Sequence, residues 1–234
     1  TFASTFYSGA FTLSNSTTVR ALSYSSDFTL SDEAEAVTLA FPPKFALSTS
    51  AIGPGGVSLN PPGGLYSAGT VVTATAVASN GWSFLRWAGD AAGAGSSVNV
   101  VMDCEVNIQA VFGTTLGTTA TGGGHVETYP LGGVYPFGTV VRLAAIPDVG
   151  KYFGVWGNAA SGSANPLYFT VTNPNPTVSS LFAPLSIGQR ALTVLIDGPG
   201  SVAVNPPGNM FHTSDVVSIT ATPFAGKGFA GWSG

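Results

Sequence analysis

The sequence contains few charged residues, and this limits the partners that it could bind. Charged residues make up 8% of the chain, seven basic and eleven acidic, for a net charge of −4. Typical globular proteins are about 25% charged. The basic residues form no cluster that would neutralise a phosphate backbone, so nucleic acid is not expected as a partner. No apolar run reaches the ~18–20 residues of a membrane span, so membrane insertion is not expected either.

Cysteine and histidine are equally scarce. The single cysteine, Cys104, has no partner for an intramolecular disulfide, and we expect a small buried apolar residue, with a bridge between chains as the alternative. The two histidines, His125 and His212, fall at different positions of the repeat described below. The sequence has no Gly-x-Ser-x-Gly motif with a matching His and acid, as a serine hydrolase would need. It also has no run of regularly spaced Asp residues that could bind Ca²⁺. We therefore expect no catalytic residue, no metal and no cofactor, and expect Asp90 only to cap a turn.

Glycine and proline are abundant, with 31 Gly and 16 Pro spread along the chain. Such frequent interruptions argue against long helices and predict many turns. Hydrophobic residues still make up 44% of the sequence, which is enough for packed cores and argues against disorder. The composition therefore predicts little or no helix, and together with the strand pattern described below it leads us to expect an all-β fold.

The chain contains three copies of one pattern in constant register. Residues 53–63 read GPGGVSLNPPG, and residues 198–208 read GPGSVAVNPPG. A middle copy fits the same frame, with Gly-Thr-Val-Val at 138–141, and each copy continues to a Phe-x-x-Trp segment. Short β-branched segments alternate with Gly and Pro turns, which predicts strands. The strands predicted in the first copy are 57–60, 70–77, 98–102 and 106–112.

This repetition divides the chain into modules. Three modules are predicted at residues 45–113, 114–185 and 186–234, and the third stops before its last two strands. Half a module cannot bury its own apolar face, so we expect the missing strands to come from chain beyond Gly234 or from another segment. Residues 1–44 lie outside the repeat frame. They contain three strand-like stretches, at 10–13, 17–23 and 35–41.

The repeated residues resemble a known family. Their order, Gly-x-Val, Asn-Pro-Pro-Gly, Gly-Thr-Val-Val, Phe-x-x-Trp-x-Gly-Asp and finally Ala-Val-Phe, is similar to the divergent B-repeat of internalin-type bacterial surface proteins. The resemblance implies tandem small β-grasp-like or β-sandwich modules, strung as stalks or spacers in large extracellular proteins. Residues 1–44, with YSGAFTL at 7–13, are similar to the C-terminal part of a chitobiase C-terminal-like β-sandwich module.

Aromatic residues recur at two positions of the repeat. One position holds Trp87, Trp156 and Trp232, and the other holds Tyr66, Tyr135 and Phe211. A small module needs a large anchor in its core, so we predict core packing for all six. Trp82 differs, because its counterparts Lys151 and Lys227 are charged, and we predict that it is exposed. Three roles remain open for Trp82: stacking on a sugar ring, lying at an interface between modules, or covering the surface.

Two functions compete on this basis. The first is a non-catalytic structural segment (stalk, spacer or filament, with adhesion as a variant) of a large bacterial surface or secreted protein. Its partners would be neighbouring modules of the same chain or identical chains, outside the cell or on its surface. The second is a carbohydrate-binding accessory module of a secreted glycoside hydrolase or adhesin, with polysaccharide as partner and Trp82 as the contact. Catalysis by the chain itself is not expected, because no acid pair or triad was found.

Overall fold

The computed structural model describes residues 9, 10, 12, 13, 16–27, 29, 31–35 and 37–234. Every regular element in these residues is a β-strand, so the predicted all-β fold is confirmed. No helix long and apolar enough to cross a bilayer occurs in the same residues. The start of the predicted chitobiase-like segment, at residues 1–8, 11, 14 and 15, lies outside the described residues.

Four short strands precede the repeats. They are β1 (Thr17–Val19), β2 (Leu22–Tyr24), β3 (Ser31–Glu33) and β4 (Val37–Leu39). β1 pairs with β4 and β2 pairs with β3, both antiparallel. β1, β2 and β4 fall at the predicted stretches 17–23 and 35–41, whereas residues 10, 12 and 13 are not in a strand.

The first repeat contains seven strands in two sheets. They are β5 (Lys44–Ile52), β6 (Gly55–Asn60), β7 (Leu65–Ser67), β8 (Thr70–Ala78), β9 (Ser83–Gly89), β10 (Ser97–Met102) and β11 (Val106–Thr115). One sheet has the order β10-β8-β6 and is antiparallel throughout. In the other, β11 lies between β9 and β5, and β7 pairs with the start of β5. β5 and β11 run parallel, whereas the other pairs are antiparallel.

The core of the first repeat forms where the two sheets face each other. Strand β8 shows why, because its alternate residues Val72, Ala74 and Ala76 are buried, whereas the Val71 and Val77 side chains point to solvent. Buried residues of the other sheet, including Ile108 and Phe112, complete the same cluster. The first repeat is therefore a small two-sheet unit with its own hydrophobic core.

The second repeat has the same layout. Its strands are β12 (Gly117–Thr121), β13 (Gly124–Tyr129), β14 (Val134–Pro136), β15 (Val140–Pro147), β16 (Lys151–Asn158), β17 (Leu167–Thr170) and β18 (Thr177–Pro184). β13, β15 and β17 form one sheet, and β12, β18 and β16 form the other, with β12 and β18 parallel. A separate cluster of buried residues, which includes Val141, Phe153 and Phe182, forms its core.

The third repeat retains only part of this layout in residues 189–234. Its strands are β19 (Gln189–Ala191), β20 (Gly200–Asn205), β21 (Met210–His212) and β22 (Ser218–Pro223). β19 pairs with β21 and β20 pairs with β22. Residues 192–197, which correspond to the second half of β5, are not paired with another strand.

Strand β11 belongs to two repeats at once. Its residues 106–111 pair with β5 of the first repeat, and Gly113–Thr115 pair with β14 of the second. Gly113–Thr115 pair with β14 in the same register in which Lys44–Ala46, at the start of the first repeat, pair with β7. The end of β11 is therefore the start of the second repeat. The predicted boundary between residues 113 and 114 thus falls inside one continuous strand. Between the second and third repeats, by contrast, residues 185–188 separate β18 from β19.

Candidate functional site: the joint between the first two repeats

Two of the recurring tryptophans occupy equivalent places in the cores. The Trp87 and Trp156 side chains are both buried. Their indole Nε1–H groups donate to the carbonyl oxygens of Gly95 (2.9 Å) and Ala164 (2.7 Å), eight residues further on in each case. Each ring also packs against the Phe three residues earlier, with centroid distances of 5.2 Å for Phe84–Trp87 and 4.7 Å for Phe153–Trp156. Each tryptophan therefore anchors the core and closes the long loop that follows it.

The second recurring aromatic position is also buried in all three repeats. It holds Tyr66, Tyr135 and Phe211. The Tyr66 hydroxyl donates to the Pro61 carbonyl oxygen at 2.9 Å, and the Tyr135 hydroxyl donates to that of Pro130 at 2.9 Å. These bonds join each tyrosine ring to the turn five residues earlier, whereas Phe211 has no hydroxyl to make such a bond.

Trp232 differs from its counterparts in its surroundings, and its predicted core packing stays a prediction. Its side chain is 53% exposed. It still packs against Phe229, with centroids 5.1 Å apart, so the local Phe-x-x-Trp arrangement is intact. The difference is tertiary: the rings of Trp87 and Trp156 are covered by the strands that follow them, and residues 224–234 contain no strand.

Trp82 is buried, so the prediction that it is exposed is wrong. Only 8% of it is accessible, and its ring centroid lies 5.5 Å from that of Phe137 in the second repeat. The neighbouring repeat is held against it because β11 enters that repeat without a linker, and the Phe137 N–H donates to the Phe112 carbonyl oxygen at 3.0 Å. Of the three roles left open for Trp82, the structure places it at the interface between modules.

A polar cluster completes this joint beside the aromatic pair. Thr114 is 2% exposed, and its hydroxyl donates to the Gly81 carbonyl oxygen at 2.8 Å and accepts the Asn175 N–H at 2.9 Å. The Thr115 hydroxyl donates to the Asn175 side-chain oxygen at 2.9 Å. Asn175 has a φ of 47°, a left-handed conformation that Asn tolerates better than most residues. The buried hydroxyl therefore has both a donor and an acceptor partner, supplied by different repeats.

Two glycines let the repeats approach closely at the joint. A Cβ on Gly53 would lie 2.7 Å from the Phe137 Cβ, and one on Gly81 would lie 2.6 Å from the Pro174 Cβ. Both glycines also have a positive φ, of 93° and 78°. Glycine is thus required at both positions by conformation and by space. The joint, defined by Gly53, Gly81, Trp82, Thr114, Phe137, Pro174 and Asn175, is absent from any single repeat and was not visible in the repeat pattern.

The boundary between the second and third repeats is built differently. The counterparts of Trp82 and Phe137 are Lys151 and Thr213, so no aromatic pair forms. Two exposed hydrogen bonds join the repeats, from Asn209 Nδ2 to the Ser163 carbonyl oxygen (2.7 Å) and from the Tyr168 hydroxyl to that of Gly200 (3.4 Å). A shallow cleft of about 130 Å³ lies between the repeats, lined in part by Tyr129, Arg142, Leu195 and Ile196.

The remaining candidate residues, Cys104 and Asp90, are both exposed. Cys104 is exposed rather than buried, because it lies in the turn before β11. A hydrogen bond to Asp103, with smaller effects of desolvation and nearby negative charge, raises the pKa of its thiol, which disfavours the reactive thiolate. The Asp90 carboxylate accepts the Asn107 N–H at 2.7 Å and so links β9 to β11.

Neither histidine belongs to a cluster with a catalytic or metal-binding arrangement. His125 lies 3.9 Å from Glu127, and His212 lies 3.7 Å from Asp215, all of them on the surface. Among the described residues there is no group of three or more His, Cys, Asp or Glu side chains that could hold a metal ion.

Comparison with known families agrees with this repeat layout. The model of the divergent InlB B-repeat domain matches residues 45–116, 114–186 and 191–234. The first two matches overlap at 114–116, where β11 passes from one repeat to the next. Comparisons with curated proteins and with solved structures give no match. Since the three matches cover most of the chain, the protein belongs to the divergent InlB B-repeat family, whose repeat domains occur in bacterial surface proteins.

Proposed function

We propose that this chain is a non-catalytic structural segment of a bacterial surface protein, a spacer that acts outside the cell. The observation that carries the proposal is the joint between the first two repeats, in which one strand and a buried contact unite two cores. Membership of a repeat family found in bacterial surface proteins supports the same role. The partners of each module are then its neighbours in the chain.

The joint favours a stiff pair of repeats rather than two hinged ones. A hinge needs residues whose backbone can turn without loss of contacts. β11 is paired with other strands along its length, from Val106 to Thr115. Bending at this point would break its pairing with β14, uncover Trp82 and leave the Thr114 hydroxyl without partners. Repeat arrays derive much of their stability from such nearest-neighbour interfaces.

The carbohydrate-binding alternative loses its supporting residue. Sugar stacking requires an open aromatic face, whereas the Trp82 ring is covered by the second repeat. Retention on polysaccharide that falls after Trp82→Ala, in a variant that still folds, would restore that hypothesis. We expect no such change.

Distances between spin labels test the proposal directly. One label pair spans the first joint, on the natural Cys104 and on Val149→Cys, both at exposed positions. A second pair spans the second boundary, on Val149→Cys and Val216→Cys in a Cys104→Ser background. We expect a narrow distance distribution across the first joint and a broad one across the second. Equally broad distributions would contradict the stiff pair.

A further inference from the structure

Both complete repeats begin and end with neighbouring parallel strands. In the first repeat, residues 47–52 of β5 pair with residues 106–111 of β11, six pairs in continuous register. In the second, residues 117–121 of β12 pair with residues 177–181 of β18, five pairs in continuous register. The chain enters each repeat at the amino end of the first strand and leaves at the carboxyl end of the last. Entry and exit therefore lie at opposite ends of the same ladder.

This arrangement determines how a repeat responds to tension along the chain. A pull on both ends draws the two parallel strands past each other along their own axes. The hydrogen bonds between the two strands are roughly perpendicular to the direction of the force. They therefore share the load and must break at the same time. In a hairpin pulled at its two ends, by contrast, the load falls on one pair at a time. Parallel terminal strands thus resist a pull along the chain much better than a ladder that can be peeled.

We propose that each complete repeat is a tension-bearing element, with the β5–β11 and β12–β18 ladders as its mechanical clamps. The proposal rests on the structural role proposed above and adds to it that the segment carries load, not only that it keeps a distance. β11 makes the two clamps continuous, because the strand that ends the first clamp leads through Leu116 directly into β12 of the second. No slack chain lies between them.

The direction of the N–H groups along β5 identifies which residues support the clamp. The Leu47 N–H donates to the Gly64 carbonyl oxygen, on the side away from β11, at 2.9 Å. Since N–H directions alternate along a strand, the Ser48 N–H faces β11 and the Thr49 N–H faces away from it. Both side chains are exposed. Ser48→Pro therefore removes a clamp donor, and Thr49→Pro is its matched control.

Force spectroscopy on the full chain tests the clamp by changing only the direction of pull. Handles at Lys44→Cys and the natural Cys104 are at the same end of the β5–β11 ladder and peel it open. Handles at Lys44→Cys and Thr118→Cys, with Cys104→Ser, are at opposite ends and shear it. We expect a rupture force several-fold higher in the shearing geometry. In that geometry the first repeat should release about 230 Å of chain, from the extended length of its residues.

The proline variants then locate the resistance. In the shearing geometry, Ser48→Pro should lower the rupture force, and Thr49→Pro should leave it closer to that of the parent chain. Equal forces in the two pulling geometries would overturn the clamp, even if the proline variants failed to fold. Equal forces together with a narrow distribution of distances between the spin labels across the first joint would leave the spacer role intact. Broad label distances with unequal forces would overturn the stiff pair and leave the clamp.

Discussion

The two boundaries between repeats differ more than the repeats themselves. The first is crossed by one continuous strand and sealed by the Trp82–Phe137 pair. The second is crossed by residues 185–188, outside any strand, and carries Lys151 and Thr213 in the corresponding places. The cores on either side use the same anchors, Trp87 and Trp156, with the same hydrogen bonds. Tandem copies with similar cores thus form different joints through a few residues at their ends.

The comparison also explains why the repeat position that holds Trp82 in the first copy can hold a lysine in the other two. A buried Trp is favourable where a neighbouring repeat covers it, and a Lys is favourable where water does. Lys151 precedes the second boundary, which no continuous strand crosses, and it is only partly buried. The residue type at this position therefore follows the type of joint, not the fold of the repeat that carries it.

The largest effect should come from Trp82→Ala. Removing a buried Trp side chain costs about 3–5 kcal/mol of the free energy of unfolding. The matched change Lys151→Ala removes a partly buried side chain and should cost no more than about 1 kcal/mol. Urea unfolding followed by far-ultraviolet circular dichroism measures both. Similar losses in the two variants would mean that the two boundaries are energetically alike.

A smaller effect should separate Gly81→Ala from Gly150→Ala. Both glycines have a positive φ, of 78° and 77°, so both variants should lose about 1–2 kcal/mol from left-handed backbone strain. Only Gly81 has a neighbour within 4 Å of the added Cβ, the Pro174 ring and the Asn175 amide. We expect Gly81→Ala to cost about 1–3 kcal/mol more than its control. Thermal unfolding of the two variants, compared at one temperature, gives the difference, and equal losses would refute the close approach.

Asn175→Ala should have the next effect. It removes the side-chain oxygen that accepts from Thr115 and replaces Asn at a φ of 47° with a residue less suited to it. We expect a loss of about 1 kcal/mol, mainly in the coupling between the repeats. Asn173→Ala, two residues earlier in the same exposed loop, is the control. Hydrogen exchange of residues 113–115 should accelerate in the first variant and stay unchanged in the second.

The smallest effect should come from Asn209→Ala at the second boundary. Its hydrogen bond to the Ser163 carbonyl oxygen is exposed to solvent, which competes for both groups. The loss should stay below about 0.5 kcal/mol. The distance distribution between labels at Val149→Cys and Val216→Cys should widen only slightly. A loss as large as that of Trp82→Ala would show that the second boundary is as firm as the first.

Much of the fold could be predicted from the sequence, for a local reason. Strand segments such as 57–60, 70–77 and 98–102 match β6, β8 and β10 closely, because β-branched alternation and Gly or Pro turns act over a few residues. The family was recognisable as well, because its glycines and aromatics meet local needs that recur in every copy. The chitobiase-like origin of residues 1–44 stays a prediction.

The candidate site was harder to predict because burial depends on what covers a residue. We predicted that Trp82 is exposed because lysines occupy its position in the other two copies, yet a neighbouring repeat covers it. Trp232 keeps the local contact with Phe229, but residues 224–234 contain no strand that could cover it. Asn175 and Thr114 gave no signal, since their hydrogen bonds join residues about 60 positions apart. Neither Trp82 nor Phe137 has an aromatic counterpart in the other two copies, but the same is true of Tyr129 and Tyr152, so the repeat pattern did not single out the pair.

The sequence by itself determined the all-β class, the three copies of the repeat and the anchors inside each complete core, because each of these follows from short-range alternation and from a pattern that recurs. Only the tertiary structure decided that β11 is shared, that Trp82 is buried and that the first and last strands of a repeat are parallel neighbours. These features depend on segments far apart in the chain meeting in one register, and short-range patterns do not encode that meeting.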